Sequence, residues 1–183
     1  IGKMVEAIDG VEMVAGSFRK FGAFSMTVEH ETCVMDQQAI ADYAMSNLRD
    51  PRRNQMLSGC WAKLFRRSMV GRFPELTTAE DMAFNFAYLL LCHRVRFISD
   101  IVYNNRKRDG SLTTTFDEKN KMGLFGFMQG LRRTEKFLQR FYGEDTLKSA
   151  LDNSKLYHSL LYFSRICAQV GGTPREAFLK LYP

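Results

Sequence analysis

The sequence predicts a mixed α/β core followed by an all-helical C-terminal region, and two observations support this fold class. Through residues 1–115, short apolar stretches bounded by glycine or polar residues alternate with stretches of helical apolar spacing. After Phe116 only the helical spacing continues. With 183 residues, 45% of them hydrophobic, the chain can bury a sizeable core. We therefore expect an α/β unit over residues 1–115 and a helical appendage over residues 116–183.

The first part of the chain predicts a helix end, two strands and a helix. Residues 2–8 have the pattern of the last turns of a helix. The apolar residues 11–18 predict a buried strand, and the alternating residues 25–34 predict its antiparallel partner. Asp36 is placed to cap a helix over residues 37–48.

The middle of the chain predicts further strands around a buried helix. We expect a strand from residue 59 that carries Trp61, the only tryptophan. Residues 82–93 are apolar on nearly every side, which predicts a helix buried all round. Residues 95–98 and 101–103 predict two short strands.

The last part predicts helices alone, over residues 117–141, 145–170 and 174–181. The third of these begins with a capping box, because Thr173 is followed three positions later by Glu176.

Composition limits the classes of protein and partner. The net charge of +6 and the pI of about 9.2 favour anionic partners. Four scattered cysteines form no Cys-x-x-Cys pair, which predicts reduced thiols, and no apolar run reaches the length of a membrane span. Together these features predict a cytoplasmic protein.

Three segments have a distinctive order and spacing. WAKLFRR at residues 61–67 is followed by the acidic pair Glu80-Asp81 at the start of the apolar helix, and then by YNNRKRDGS at residues 103–111. This ordered set resembles the C-terminal half of the catalytic domain of bacterial family-two glycosyltransferases, which have the GT-A fold. The likeness is most specific over residues 58–113. Ala62 stands where the family often has Asn, so a side-chain contact is lost or replaced there.

The resemblance implies an inverting transfer of a sugar from a nucleotide-diphosphate donor to a saccharide or lipid-linked acceptor, in bacterial surface polysaccharide synthesis. Such a transfer needs a carboxylate that takes a proton from the attacking hydroxyl, and the resemblance gives that role to Asp81. Glu80 would bind or position the acceptor. The alternative is structural, since Thr77 and Thr78 form capping patterns with these acids and a helix N-terminus favours acidic residues.

The basic segment is a candidate binding site for the leaving group. Arg106 and Arg108 alternate along an extended stretch, and an arginine can bind the departing diphosphate through two parallel hydrogen bonds. Ser111 could add a hydroxyl contact. The alternative is a solvated basic turn of ordinary loop composition.

Trp61 and Lys63 are candidate substrate-binding residues in the first motif. The indole could stack on an acceptor sugar, as the resemblance suggests, or it could be a core aromatic residue. Lys63 follows two positions later on the same predicted element.

The resemblance also implies a divalent cation, Mg²⁺ or Mn²⁺, held mainly by an Asp-x-Asp motif in the nucleotide-binding half. No Asp-x-Asp occurs in this sequence, so we expect that half to be missing. His30, His93 and His158 have no neighbours at metal-ligand spacing, so no metal site made by this chain is predicted.

A basic amphipathic helix around residues 131–141 predicts one further partner. Its apolar face would pack on the protein, and its basic face could contact an anionic membrane at the inner face of the bilayer. The rival interpretation of the whole chain is a non-catalytic basic binding module for nucleic acid or an acidic partner. Dispersed basic residues and the lack of a nucleic-acid motif make nucleic acid the weaker partner.

Overall fold

The computed structural model describes residues 1–22, 25–52, 55–72, 80–106, 128, 130–170, 173, 175–176 and 179. In these residues the chain is a mixed α/β protein whose strands form one mixed sheet. The strands are β1 Met13–Phe21, β2 Met26–Val28, β3 Cys33–Met35, β4 Lys63–Phe65 and β5 Val95–Arg106. The helices are α1 Gly2–Glu6, α2 Gln37–Arg49, α3 Glu80–Leu89, α4 at residues 130–138 and α5 Glu144–Val170.

β1 is the centre of the sheet. It pairs in parallel with β5 on one side and antiparallel with β2 and β4 on the other, while β3 pairs antiparallel with the far edge of β5. Its residues from Met13 to Phe18 are all buried, as expected for a strand covered on both faces. The predicted strand at 11–18 is confirmed, with its bounds moved towards the C-terminus.

α2 forms where the sequence predicts it. The carboxylate of Asp36 accepts a hydrogen bond of 2.9 Å from the backbone N–H of Ala39, which confirms the predicted N-cap. One face of α2, with Ile40, Ala44 and Leu48, is fully buried against the sheet and α5.

Three predicted elements have different bounds. The strand predicted at 25–34 is wrong as one element, because the chain leaves β1 after β2 and crosses to pair with β5 as β3. The two strands predicted at 95–98 and 101–103 are one strand, which stays continuous by shifting register opposite Gly16 and Ser17 of β1. The helix predicted at 82–93 begins at Glu80 and ends at Leu89.

The helical tail shares the main core with the sheet. Leu138 of α4 and Leu147 and Leu151 of α5 lie in the same hydrophobic cluster as Phe18 and Val95. The division predicted between residues 115 and 116 stays a prediction. Among the described helices, none combines the length and the apolar character that a membrane crossing needs.

Two further predictions for the ends of the chain are confirmed. The helical turns predicted at residues 2–8 are present as α1, Gly2–Glu6, whose Met4 packs with Val14 and Ile98 in a second cluster on the opposite face of the sheet. At the other end, the carboxylate of Glu176 accepts a hydrogen bond of 2.7 Å from the backbone N–H of Thr173, and the Thr173 hydroxyl accepts one of 3.4 Å from the N–H of Glu176. This is the predicted capping box.

Candidate functional site

The candidate site lies at the carboxyl ends of the two parallel strands. Phe18 of β1 pairs with Tyr103 of β5, and Lys20 pairs with Asn105 two residues further on. Because side chains alternate along a strand and paired residues point the same way, these four side chains share one face of the sheet. Lys63 of β4 belongs to this face too. It pairs with Ala15, and the register shifts between Gly16 and Phe18 bring Ala15 and Phe18 to the same face, where both lie in one hydrophobic cluster.

Trp61 is the aromatic centre of the site. It lies in a turn that precedes β4, so the prediction that a strand from residue 59 carries it is wrong. Its ring stacks on Tyr103 with a centroid distance of 5.2 Å and an interplanar angle of 17°. It also meets the ring of Phe18 edge to face, with centroids 4.3 Å apart. Trp61 is half-buried, whereas Tyr103 remains 39% exposed.

Asn85 of α3 fixes the turn that carries Trp61. Its side chain is 1% exposed, and its amide donates hydrogen bonds to the carbonyl oxygens of Leu57 at 3.0 Å and Gly59 at 2.9 Å. The ammonium of Lys63 donates to the carbonyl oxygens of Gly59 and Trp61. The turn is therefore held from the helix on one side and from the sheet on the other.

The acidic pair lies beside this turn. Glu80 and Asp81 occupy the first turn of α3 and are both half-buried. The thiol of Cys60 lies 4.0 Å from the main-chain oxygen of Asp81 and 3.8 Å from the amide oxygen of Asn85. Burial, with a contribution from Asp81, raises the pKa of Cys60 to about 12, so this cysteine is a neutral thiol at physiological pH.

Two lysines flank the indole. The ammonium of Lys20 lies 5.7 Å from the ring centroid of Phe18 and 6.0 Å from that of Trp61, and the ammonium of Lys63 lies 5.9 Å from Trp61. Burial lowers the pKa of Lys63 to about 8, although the charge of Asp81 acts in the opposite direction.

His30 packs on the sheet within the electrostatic range of Lys63. Its ring packs on Phe97 with centroids 4.8 Å apart, and its backbone N–H donates to the buried hydroxyl of Ser17 at 2.9 Å. Its Nε2 is buried and has no hydrogen-bond partner in the described part of the chain. Burial, followed by the charge of Lys63, lowers the pKa of His30, which favours the neutral ring.

The structure brings together most of the residues predicted from sequence. Lys63 of β4 and the acidic pair Glu80 and Asp81 of α3 lie around the turn that carries Trp61. Arg106 is the last residue of β5, and alternation along that strand places it on the face opposite Tyr103. The other two candidates, Arg108 and Ser111, lie outside the described residues.

Sequence reasoning missed four residues of this site: Lys20, Cys60, Asn85 and Tyr103. A polar residue inside an otherwise apolar helix was the available signal for Asn85, since such a side chain is buried only with partners. Tyr103 is the first residue of the third motif, but nothing in the sequence indicated that it contacts Trp61. Lys20 and Cys60 gave no signal, because their contacts join separate elements.

Comparison with known proteins gives no family for this chain. It matches no protein-family model, and no curated protein matches it either.

Proposed function

We propose that this chain is the acceptor-side part of an inverting glycosyltransferase of the GT-A fold. One observation carries the proposal: Asp81, in the first turn of the buried helix α3, lies near Cys60 and acts electrostatically on Lys63, which flank Trp61 in the chain, and Trp61 stacks on Tyr103 at the carboxyl end of β5. Ligands of open α/β sheets bind outside the carboxyl ends of the strands. The order of the three sequence motifs supports the same function.

The proposed chemistry assigns Asp81 the role of general base. It accepts the proton of the acceptor hydroxyl while that oxygen forms a bond to the anomeric carbon. The bond between that carbon and the nucleoside diphosphate breaks on the opposite side, so the configuration inverts. A base for this step has to be held rigidly, and α3 meets this need because Asn85 and Tyr88 hold it to the neighbouring segments.

Tyr88 provides the second anchor of α3. Its hydroxyl donates to the carbonyl oxygen of Glu12 at 2.8 Å and accepts from the backbone N–H of Arg66 at 2.9 Å. The helix is thus fixed to the start of β1 and the end of β4. Asn85 lies four residues after Asp81 and Tyr88 seven residues after it, so the hydrogen bonds of these two side chains restrict movement of the helix that carries Asp81.

The divalent cation of the proposal does not fit the described residues. Within the described ranges, no group of three or more His, Cys, Asp and Glu side chains could hold a metal ion. The sequence contains no Asp-x-Asp motif. We therefore propose that a segment outside the described residues holds the cation and the nucleotide, and that Arg108 and Ser111, rather than Arg106, contact the leaving group.

The location proposed for the enzyme is the cytoplasm at the inner face of the membrane. In α4 the buried residues Leu131, Phe137 and Leu138 face the core. The exposed residues of this segment carry positive charge at four positions, Arg132, Arg133, Lys136 and Arg140. A basic exposed face suits contact with anionic lipid, where a lipid-linked acceptor would be found.

The experiment that tests the function is Asp81→Asn in the complete natural polypeptide. Asn keeps the size and much of the capping ability of Asp but cannot accept the proton. We expect transfer from a nucleotide sugar to fall by about 10² to 10⁴-fold, with an almost unchanged melting temperature. Glu80→Gln is the matched control and should reduce transfer less. Wild-type transfer by folded Asp81→Asn would refute the base assignment. No transfer by the wild-type protein itself would favour the rival, non-catalytic binding module.

A further inference from the structure

We propose that Tyr103, Trp61 and Lys20 form an aromatic ledge that binds an anionic saccharide. The inference deepens the proposed function, on which it rests only in taking this saccharide to be the acceptor. It goes beyond the motif-based prediction because Tyr103, although it begins the third motif, was given no binding role there, and Lys20 lies outside all three motifs.

The stacking surface of the ledge is Tyr103. Trp61 is half-buried, with its ring against Tyr103, Phe18 and the backbone of Gly59. Tyr103 is 39% exposed, so it offers the accessible aromatic surface of the stack. The C–H groups of a pyranose ring pack well on such a surface, and the tyrosine hydroxyl gives it a polar edge. Trp61 thus packs against the Tyr103 ring and holds it in place.

The charge of the ledge comes from Lys20. The other nearby cation, Lys63, uses its ammonium to hold the carbonyl oxygens of Gly59 and Trp61. Lys20 is partly exposed, and its ammonium lies 6.0 Å from the indole centroid, at the border of the stack. A carboxylate or phosphate on the bound sugar would meet this ammonium and form a charge-assisted hydrogen bond.

A neighbouring amide completes the chemistry of a sugar site. Asn105 pairs with Lys20 across the parallel strands and shares its face of the sheet. A carboxamide donates and accepts, as sugar hydroxyls require. Along the chain, Trp61 is adjacent to Cys60, whose thiol lies near Asp81. Through Trp61 and Cys60 the ledge is connected with the first turn of α3, which carries the proposed base.

The sole tryptophan is a built-in reporter for this binding. Fluorescence of Trp61 would be followed while the protein is titrated with trigalacturonate, with glucose 6-phosphate and with neutral maltotriose. We expect a saturable change with at least one of the acidic sugars and binding about tenfold weaker, or weaker still, for the neutral one. Comparison of the first two probes tells whether the preferred anion is a carboxylate or a phosphate.

Variants assign the effect to the ledge. Tyr103→Ala should abolish binding, Lys20→Met should weaken acidic-sugar binding about tenfold, and Lys20→Arg should largely preserve it. Lys155→Met, on the exposed face of α5, is the control for loss of one charge and should bind like wild type.

Two outcomes would overturn the proposal. Equal binding of acidic and neutral sugars, unaffected by Lys20→Met, would refute the charge assignment, and no saturable change with any of the three probes would refute the ledge. The experiments distinguish a failure of the binding proposal from a failure of the proposed transferase function. Acidic-sugar binding that persists in a protein without transferase activity would support the ledge and count against the proposed function alone.

Discussion

Gly59 and Trp61 are in such close contact that a single methyl group at position 59 would lie 2.2 Å from the indole Nε1. The backbone of Gly59 forms part of the surface on which the ring rests, and its carbonyl oxygen accepts hydrogen bonds from Asn85 and Lys63. The orientation of the indole therefore depends on the absence of a side chain at this position.

Gly59→Ala should displace the indole and destabilise the protein by about 1–3 kcal/mol, because the added methyl overpacks a buried contact. The measurement is urea denaturation followed by tryptophan emission, with a red shift expected in the native state. Gly71→Ala is the control, since a methyl there meets nothing within 4 Å. Equal stability of the two variants would contradict the close packing.

Asn85→Ala should lower the free energy of unfolding by about 2–3 kcal/mol, because two carbonyl oxygens lose their donor in a buried place. Asn153→Ala is a matched control. Asn153 also donates to a main-chain carbonyl oxygen, that of Arg49, but it is exposed, so we expect a loss within about 0.5 kcal/mol. The check is chemical denaturation of both variants, and similar losses would remove the special role of Asn85.

Lys63 predicts a dependence of stability on alkaline pH. Its pKa is lowered from 10.5 to about 8 in the folded protein, so between these values the unfolded chain holds a proton that the folded one has released. The free energy of unfolding therefore rises with pH in this window. Measured at about pH 7 and about pH 9.5, the stability of wild type relative to Lys63→Met should be larger at the higher pH. A stability difference that is the same at both pH values would mean that the pKa of Lys63 is not lowered in the folded protein.

The basic face of α4 predicts salt-sensitive binding to anionic vesicles. Changing Arg132, Arg133 and Lys136 to Gln should weaken binding about 100-fold, since each charge near an anionic surface is worth about 1 kcal/mol. A control with the same change of net charge replaces three exposed residues elsewhere, Lys148, Lys155 and Arg175. Co-sedimentation is the measurement, and equal loss in both variants would point to net charge rather than to this face.

Sequence patterns predicted the elements better than their contacts. The buried strand, the capped helix α2 and the apolar helix α3 were recognisable because each has a local signature, such as Asp36 at its N-cap. The position of Trp61 could not be recognised from the sequence, because the turn before β4 depends on a hydrogen bond from Asn85, which belongs to another element. The stack of Trp61 on Tyr103 likewise joins residues that only the pairing of the sheet brings together.

Position 62 connects the sequence comparison with the backbone. Ala62 has a φ of 59°, in the left-handed region that L-residues other than Gly, Asn and Asp rarely adopt. This conformation gives a physical reason for the Asn that the resembling family often has here. At position 62, Ala therefore differs from Asn in two ways: it lacks the polar side chain, and it adopts this left-handed conformation less readily.

The parallel pairing of β1 with β5 also sets the order in which the site can form. Met13 and Val95 are paired although about 80 positions separate them in the chain. Loop closure over such a distance is slow, and a parallel pair cannot begin from a tight hairpin. Lys20, Trp61, Asp81 and Tyr103 meet only after this pairing, so folding intermediates that contain α2 and α5 alone would bind no sugar. The proposed sugar binding should therefore appear late in folding, together with the stacking of the single tryptophan.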